Sequence, residues 1–473
     1  MANRKKVALT RDDKKYIWHP FSQMADWLKD DPNPPLIIAR AKGNYLYDIN
    51  GKKYLDGVSS LWVTVHGHRK KEIDNALKDQ INKVSHSTFL GLTHEPAIKL
   101  AKELIRIAPK GLKKVFYSDN GSTSVEIALK MAYQYWCQCS KNKKAKFLSL
   151  KNAYHGDTIG SVSVGGMDLF HSKFKPLLFD TYFAPSPYCY RCPHRKNDHN
   201  FPLTAKSFSD HCKIMGCEGN CLTEVKNILQ KHQGEIAAAI IEPMIQGAAG
   251  MLTFPKGYLK RFEQLCKKFN VLLICDEVAT GFGRTGKMFA VEHENVKCDF
   301  LCLSKGISGG YLPLAATLTT ENIYSAFLGK YEEFKTFFHG HTYTANPLAC
   351  RAAIANLEIF KKEKVLKTIK PKIDYLTQEL NKLKNIKWVG DIRQIGLMAG
   401  IELVKNKAKR INFDDKYKVG AKVCALCRQK GLILRPLGNV IVLMPPLSIS
   451  EKEITKIIEI VKNSIIRFCS NIN

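Results

Sequence analysis

The chain has 473 residues, 45% hydrophobic and 25% charged, which is the composition of a globular protein with room, at about 150 residues per domain, for two to three cores. Lysine and arginine number 73 against 43 acidic residues, a formal charge of +30, but the cations are spread along the chain as lysines on polar faces, as at Lys361, Lys362, Lys370 and Lys372. No arginine stripe alternates with aromatics, which speaks against a nucleic-acid partner and for a solvated, lysine-biased surface. No run of 18 apolar residues occurs, so no transmembrane helix and no membrane partner are expected. Residues 1–13 are basic without an apolar stretch behind them, which points to the cytoplasm rather than secretion.

Residues 1–40 carry aromatic and proline punctuation, with Trp18-His19-Pro20-Phe21 and then Pro32, Pro34 and Pro35, and read as an irregular lead segment. Residues 43–48 and 51–56 alternate apolar and polar side chains about Asn50-Gly51, the pattern of a hairpin. Ile98, Ala101, Leu104 and Ile105 give 95–107 a helical period. Val115-Phe116-Tyr117 reads as a strand, followed by Asp119-Asn120-Gly121-Ser122 and a helix with Val125, Leu129, Ala132 and Trp136 on one face. Short apolar runs then recur at 146–150, 237–241, 271–275, 300–303 and 314–319, several of them separated by helical patterns. Apolar strands alternating with helices predict an α/β fold with a mostly parallel sheet covered on both faces, whose ligands bind beyond the carboxyl ends of the strands. A long helical stretch over 348–383 leads into a smaller α/β segment with strands near 396–402 and 440–444. The predicted organisation is an N-terminal segment 1–65 joining a small domain, a large domain 66–345 and a C-terminal small domain 346–473.

The chemistry gathers at strand ends. Lys305 follows the apolar run 300–303 and precedes Gly306, Gly309 and Gly310. Taken alone it is most simply a lysine leaving the sheet edge for solvent. In a low-dielectric setting it would instead be a neutral, nucleophilic amine suited to forming a Schiff base with an aldehyde. Asp276 ends the run 271–275, one strand-helix-strand unit earlier, where a carboxylate holds a pyridine nitrogen protonated; the alternative is a helix N-cap. Gly121 and Ser122, between strand and helix, suit a phosphate at a helix N-terminus. Tyr154, in Tyr154-His155-Gly156-Asp157-Thr158, is placed to stack on a planar ring or to pack in its loop. Thr342, in the loop His339-Gly340-His341-Thr342, can donate to a phosphate; its histidines lack the nearby carboxylate or cysteine partners of a metal site. Together these residues match the needs of pyridoxal 5'-phosphate.

Fifteen cysteines are present, most of them scattered through apolar segments such as those of Cys275, Cys302 and Cys350, which suits reduced, buried thiols. A denser group occupies an excursion over 188–221: Cys189, Cys192, Cys212, Cys217 and Cys221 with His194, His199 and His211. The Cys189-x2-Cys192 spacing fits half of a structural zinc site, while the later spacings are looser; the competing reading is a reduced loop whose thiols pack.

The run Asp276-Glu277-Val278-Ala279-Thr280-Gly281-Phe282-Gly283-Arg284-Thr285-Gly286, with Leu303-Ser304-Lys305-Gly306, resembles the class III aminotransferases of fold type I, pyridoxal-phosphate enzymes. Trp18-His19-Pro20-Phe21, Ser59-Ser60-Leu61-Trp62, His66-Gly67-His68, Thr93-His94-Glu95-Pro96-Ala97 and Arg435-Pro436 narrow the resemblance to the biotin-synthesis branch of that family. The resemblance implies transamination of 8-amino-7-oxononanoate to 7,8-diaminononanoate, with adenosylmethionine as amino donor. Lys305 would carry the cofactor, Asp276 would contact its ring nitrogen, Tyr154 would lie on or beside the ring, and Gly121 and Ser122 would bind its phosphate. Gly340, His341 and Thr342 would reach the site of a second subunit, implying a homodimer with active sites at the subunit interface. Arg435 would bind the substrate carboxylate, and Phe21, Leu61, Trp62 and Arg284 would line the substrate pocket. Relatives often have Tyr where this chain has Phe21 and a second Trp where it has Leu61. Those two departures leave lysine open as the alternative donor. The alternative function is another ω-aminotransferase activity on a diamine, against which the Trp18–Phe21 and Ser59–Trp62 motifs speak.

Overall fold

The computed structural model describes residues 2–139, 144–196 and 205–472. The chain forms two compact units, one of residues 72–370 with 393–396 and one of residues 1–71, 371–392 and 397–473. The division falls after 370, where the sequence pattern placed it at 345. The reason is the helix Pro347–Lys362, which belongs to the larger unit. It packs on the helix Glu95–Ile107, and Asn356 on it donates to the carbonyls of Gly306 and Ile307, both at 3.0 Å. The helical stretch predicted over 348–383 is two helices, Pro347–Lys362 and Val365–Asn381, broken where Lys364 turns left-handed at φ 50°.

The larger unit is built on a seven-stranded sheet. Its strands are β1 (Leu112–Ser118), β2 (Lys146–Leu150), β3 (Thr181–Ala184), β4 (Ile236–Ile241), β5 (Leu272–Asp276), β6 (Phe300–Leu303) and β7 (Ala315–Thr320). Their spatial order is β1-β7-β6-β5-β4-β2-β3. The pairs β6/β5, β5/β4, β4/β2 and β2/β3 are parallel. β7 runs against both β6 and β1, so β1 points the same way as β6. The carboxyl ends of β1, β2, β4, β5 and β6 therefore share one edge. Every residue of β4, β5 and β6 is buried, as expected of strands covered on both faces.

The helix Gly121–Cys139 lays Val125, Leu129, Ala132 and Trp136 into the core, the face its period predicts. Burying a side chain the size of Val125 or Leu129 stabilises the fold by about 1.5–3 kcal/mol. Trp136 keeps its indole N–H satisfied by donating to the Ala237 carbonyl at 2.8 Å.

The smaller unit holds two four-stranded sheets. In one, Tyr45–Asp48 pairs antiparallel with Lys53–Asp56, the hairpin read from the sequence, and Leu432–Ile433 closes the far edge. In the other, Met398–Leu403 pairs with Val440–Leu443, which pairs with Arg435–Leu437. Among the described residues no helix is long and apolar enough to cross a membrane.

Glu277, just past β5, is fully buried. Its carboxylate accepts from Thr280 Oγ1 at 2.5 Å and from Val291 N at 2.8 Å, and burial pushes its carboxyl up to about 7. The unfolded chain sheds this proton nearer 4.5, so the folded state loses stability as pH rises from about 4.5 to about 7. A glutamine fits the same space, accepting from Val291 N and donating to the Thr280 hydroxyl. Glu277→Gln is expected to exceed the parent in stability by about 2 kcal/mol near pH 8, with the gap narrowing near pH 5, as read by urea unfolding at both pH values.

Candidate active site

Lys305 does not leave the sheet for solvent; its ammonium is enclosed, and burial lowers its pKa against the opposing pull of Asp276, Glu242 and Asp157. Its backbone is left-handed at φ 45°. That conformation is unfavourable for a side chain with a Cβ, and the neighbours enforce it. Ser304 Oγ donates to the Leu314 carbonyl at 2.9 Å on one side, and Asn356 holds the Gly306 and Ile307 carbonyls on the other.

Asp276 is brought to the same place by register. It pairs with Cys302 across the parallel strands β5 and β6, and Lys305 lies three residues on. The Asp276 carboxylate is buried; Oδ1 accepts from Val278 N at 3.1 Å and Oδ2 accepts from His155 Nδ1 at 2.7 Å. His155 Nε2 is buried without a hydrogen-bond partner. Tyr154, one residue earlier, is half-buried, and its hydroxyl donates to Asp157 Oδ2 at 2.7 Å.

Gly121 and Ser122 open the 19-residue helix at the end of β1. Asn120 Oδ1 accepts from Thr123 N at 3.1 Å, and the first N–H groups of the helix face outward with no intrahelical acceptor. A Cβ on Gly121 would come within 2.6 Å of Val278 Cγ1, and one on Gly156, at φ 125°, would collide with the Ser122 hydroxyl. Backbone N–H groups at a helix N-terminus, walls too close for a side chain, a buried amine and a buried carboxylate at one sheet edge form a fitting receptacle for a phosphorylated pyridine aldehyde.

Three further residues carry this arrangement without having been singled out in the sequence. Glu242, directly after β4, is buried; its two oxygens accept from Tyr154 N at 3.1 Å and Gly247 N at 2.9 Å, and burial pushes its carboxyl up to about 7. Its position at a strand end is the signal that was available. His155 was legible only as the neighbour of an aromatic. His94 caps its helix by accepting from Ala97 N at 3.2 Å and donates through Nε2 to the Ala345 carbonyl at 2.7 Å, pinning the loop that holds Thr342.

In that loop His341 Nδ1 lies 2.6 Å from Asp119 Oδ2, close enough for an ion pair although out of line for a hydrogen bond. Gly340 and Thr342 are exposed on this single chain. Arg284 is fully buried within the larger unit. In the smaller unit, Phe21 and Leu61 are exposed, Trp62 is buried, and the Arg435 guanidinium lies 5.7 Å from the Phe21 ring centre.

The described part of the cysteine excursion gives the zinc expectation no support. Cys189, Cys192, Cys212, Cys217 and Cys221 line one cavity of about 30 Å³ with His211, whose Nε2 is 3.3 Å from Cys189 Sγ. Burial and mutual repulsion push the Cys189 thiol well up and those of Cys212 and Cys221 up to about 12. Among the described residues no three or more His, Cys, Asp or Glu side chains are set to hold a metal. His199 lies outside the described residues.

Comparison with known proteins places this geometry. Residues 28–465 match the model of the family aminotransferase class-III. The adenosylmethionine-8-amino-7-oxononanoate aminotransferase of Geobacter sulfurreducens is 49% identical over 453 residues, 96% of each chain. That of Aquifex aeolicus is 50% identical over 454 residues, again 96% of each. The crystal structure of the Methanocaldococcus jannaschii enzyme of the same name superposes with a TM-score of 0.89 at 48% identity, covering 98% of this chain and 99% of that one. A thermostable (S)-enantioselective ω-transaminase from Thermomicrobium roseum superposes at 0.89 with 32% identity, covering 98% of each chain. The chain belongs to the class III aminotransferases, the pyridoxal-phosphate-dependent enzymes of fold type I.

Proposed function

We propose that this aminotransferase converts 8-amino-7-oxononanoate to 7,8-diaminononanoate in biotin synthesis, with S-adenosylmethionine as the amino donor. The carrying observation is identity near 50% over almost the whole length to relatives named for that reaction. Pyridoxal phosphate, when bound, supplies an aldehyde that exchanges amino groups and a ring that accepts electrons released at the substrate carbon. Lys305 anchors it, and in the burial that lowers its pKa the freed amine takes and returns a proton at Nζ. Asp276, oriented by His155, would pair with the ring nitrogen, Tyr154 would pack on the ring, and the N-terminal N–H groups at Gly121 and Ser122 would hold the phosphate. Arg435 receives the ketone's carboxylate in a bidentate pair. Phe21, Leu61, Trp62 and Arg284 receive the rest of the substrates. Gly340, His341 and Thr342 serve the site of a second subunit, which makes the working enzyme a homodimer, and the location is the cytoplasm.

A second reading of the donor rests on Phe21 and Leu61, where family members often have Tyr and a second Trp, and makes lysine the donor. Product formation from 8-amino-7-oxononanoate with each compound as sole donor decides it. Adenosylmethionine is expected to support turnover at least about tenfold faster than lysine. The reverse ratio moves the donor to lysine, and no product with either overturns the substrate.

Lys305→Ala is expected to abolish turnover, by about 10⁴-fold or more, together with the absorbance of the lysine-bound cofactor. A coloured, fully active variant would remove the anchor role. Gly156→Ala drives a methyl into Ser122 at the helix N-terminus and is expected to weaken cofactor binding at least about tenfold, measured by absorbance titration of the apoenzyme.

A further inference from the structure

Ser59, Ser60, Leu61 and Trp62 are four consecutive residues with left-handed backbones, at φ 51°, 47°, 74° and 70°. None is glycine. L-residues adopt this conformation singly, as a rule, because Cβ crowds the following carbonyl. A whole left-handed turn persists only where its surroundings over-determine it.

The surroundings centre on Asp56, the last residue of the strand Lys53–Asp56, whose side chain is completely buried. Its carboxylate reaches into the turn and accepts four hydrogen bonds. Oδ1 takes Val58 N at 3.3 Å and Ser60 N at 3.0 Å; Oδ2 takes Ser60 Oγ at 2.9 Å and His68 Nε2 at 2.9 Å. Burial alone would raise this carboxyl, but the bonds from His68 and Ser60 outweigh it and hold the group below its ordinary value. The turn is fixed from its other side as well, since Ser59 Oγ donates to the Met444 carbonyl at 2.7 Å and Trp62 N to the Val58 carbonyl at 2.8 Å. Gly57 leaves no clearance, since a Cβ there would lie 2.5 Å from Leu434. The product of this construction is an exposed Leu61 beside a buried Trp62.

We infer that Asp56, supported by His68, is a positioning residue that holds the Ser59–Trp62 turn left-handed and thereby sets the aim of Leu61 and Trp62 on the substrate. The inference rests on the substrate-binding role proposed above for those two side chains.

The test compares the parent holoenzyme with Asp56→Asn and Ser60→Gly. Asparagine cannot accept at both positions, so Asp56→Asn is expected to raise KM for 8-amino-7-oxononanoate about tenfold, with kcat within about threefold and the cofactor absorbance unchanged. Ser60→Gly separates positioning from stability, because glycine relieves the left-handed strain while removing the Oγ bond. Its thermal midpoint is expected to hold or rise while KM rises about threefold. In the apoenzyme, acrylamide quenching of the Trp62 fluorescence, taken as the difference between each protein and its Trp62→Phe counterpart, is expected to increase in both variants. Unchanged KM and unchanged quenching in a folded Asp56→Asn overturn the inference. Should that variant fail to fold, the same two results in Ser60→Gly overturn it. A parent that does not use the ketone removes the substrate reading instead, and the quenching comparison still decides whether Asp56 holds the turn.

Discussion

The enclosed amine of Lys305 sets the terms for everything around it. A low-dielectric interior disfavours the ammonium, while each carboxylate nearby favours it. Asp276, Glu242 and Asp157 all pull the Lys305 pKa upward, yet burial outweighs them and the group lies below its ordinary value. The structure limits that pull by charge management. Asp276 is paired with His155, and Glu242 is buried deeply enough that its carboxyl is pushed up to about 7. Near neutral pH the negative charge facing Lys305 is therefore smaller than the count of carboxyl groups suggests. Glu242 also orders Tyr154 and Gly247 through their N–H groups, so one buried side chain adjusts the charge and fixes the aromatic.

Placing these groups requires rigid backbone, and the sheet supplies it. Register alone puts Asp276 opposite Cys302 and so near Lys305. The antiparallel β7 inserted between β6 and β1 is what returns the helix N-terminus at Gly121 to the same edge. The helix Pro347–Lys362 then holds the turn after Lys305 through Asn356, which explains why it belongs with the larger unit despite lying beyond the last strand of the sheet.

The sheet was legible because doubly covered strands are continuous apolar runs, and 146–150, 237–241 and 300–303 show nothing else. Lys305 and Asp276 became legible together, through the length of one strand-helix-strand unit, though neither was decisive alone. His155 and Glu242 were hidden because their function lies in contacts across 121 and 88 residues of sequence, which no local pattern encodes. The break at Lys364 was hidden for a different reason: the apolar period continues through it, and a single left-handed residue leaves no compositional mark. The cysteine excursion was legible as a cluster, since its five cysteines do line one cavity, but spacing counts ligands without fixing their geometry.

The two units contain the same local device put to two uses. Asp56 and Asp276 each end a strand, each accepts from the backbone N–H two residues on, at Val58 and Val278, and each accepts from a histidine. An ionised carboxylate offers about four acceptor positions. Asp56 fills four, two of them with Ser60, and its capacity is consumed in holding backbone. Among the described residues Asp276 fills two and keeps acceptor capacity for a further donor. A protonated ring nitrogen is such a donor. The distinction between a carboxylate that shapes a wall and one that meets a cofactor is thus written in its unspent hydrogen-bonding positions rather than in its identity, its histidine partner or its place at a strand end.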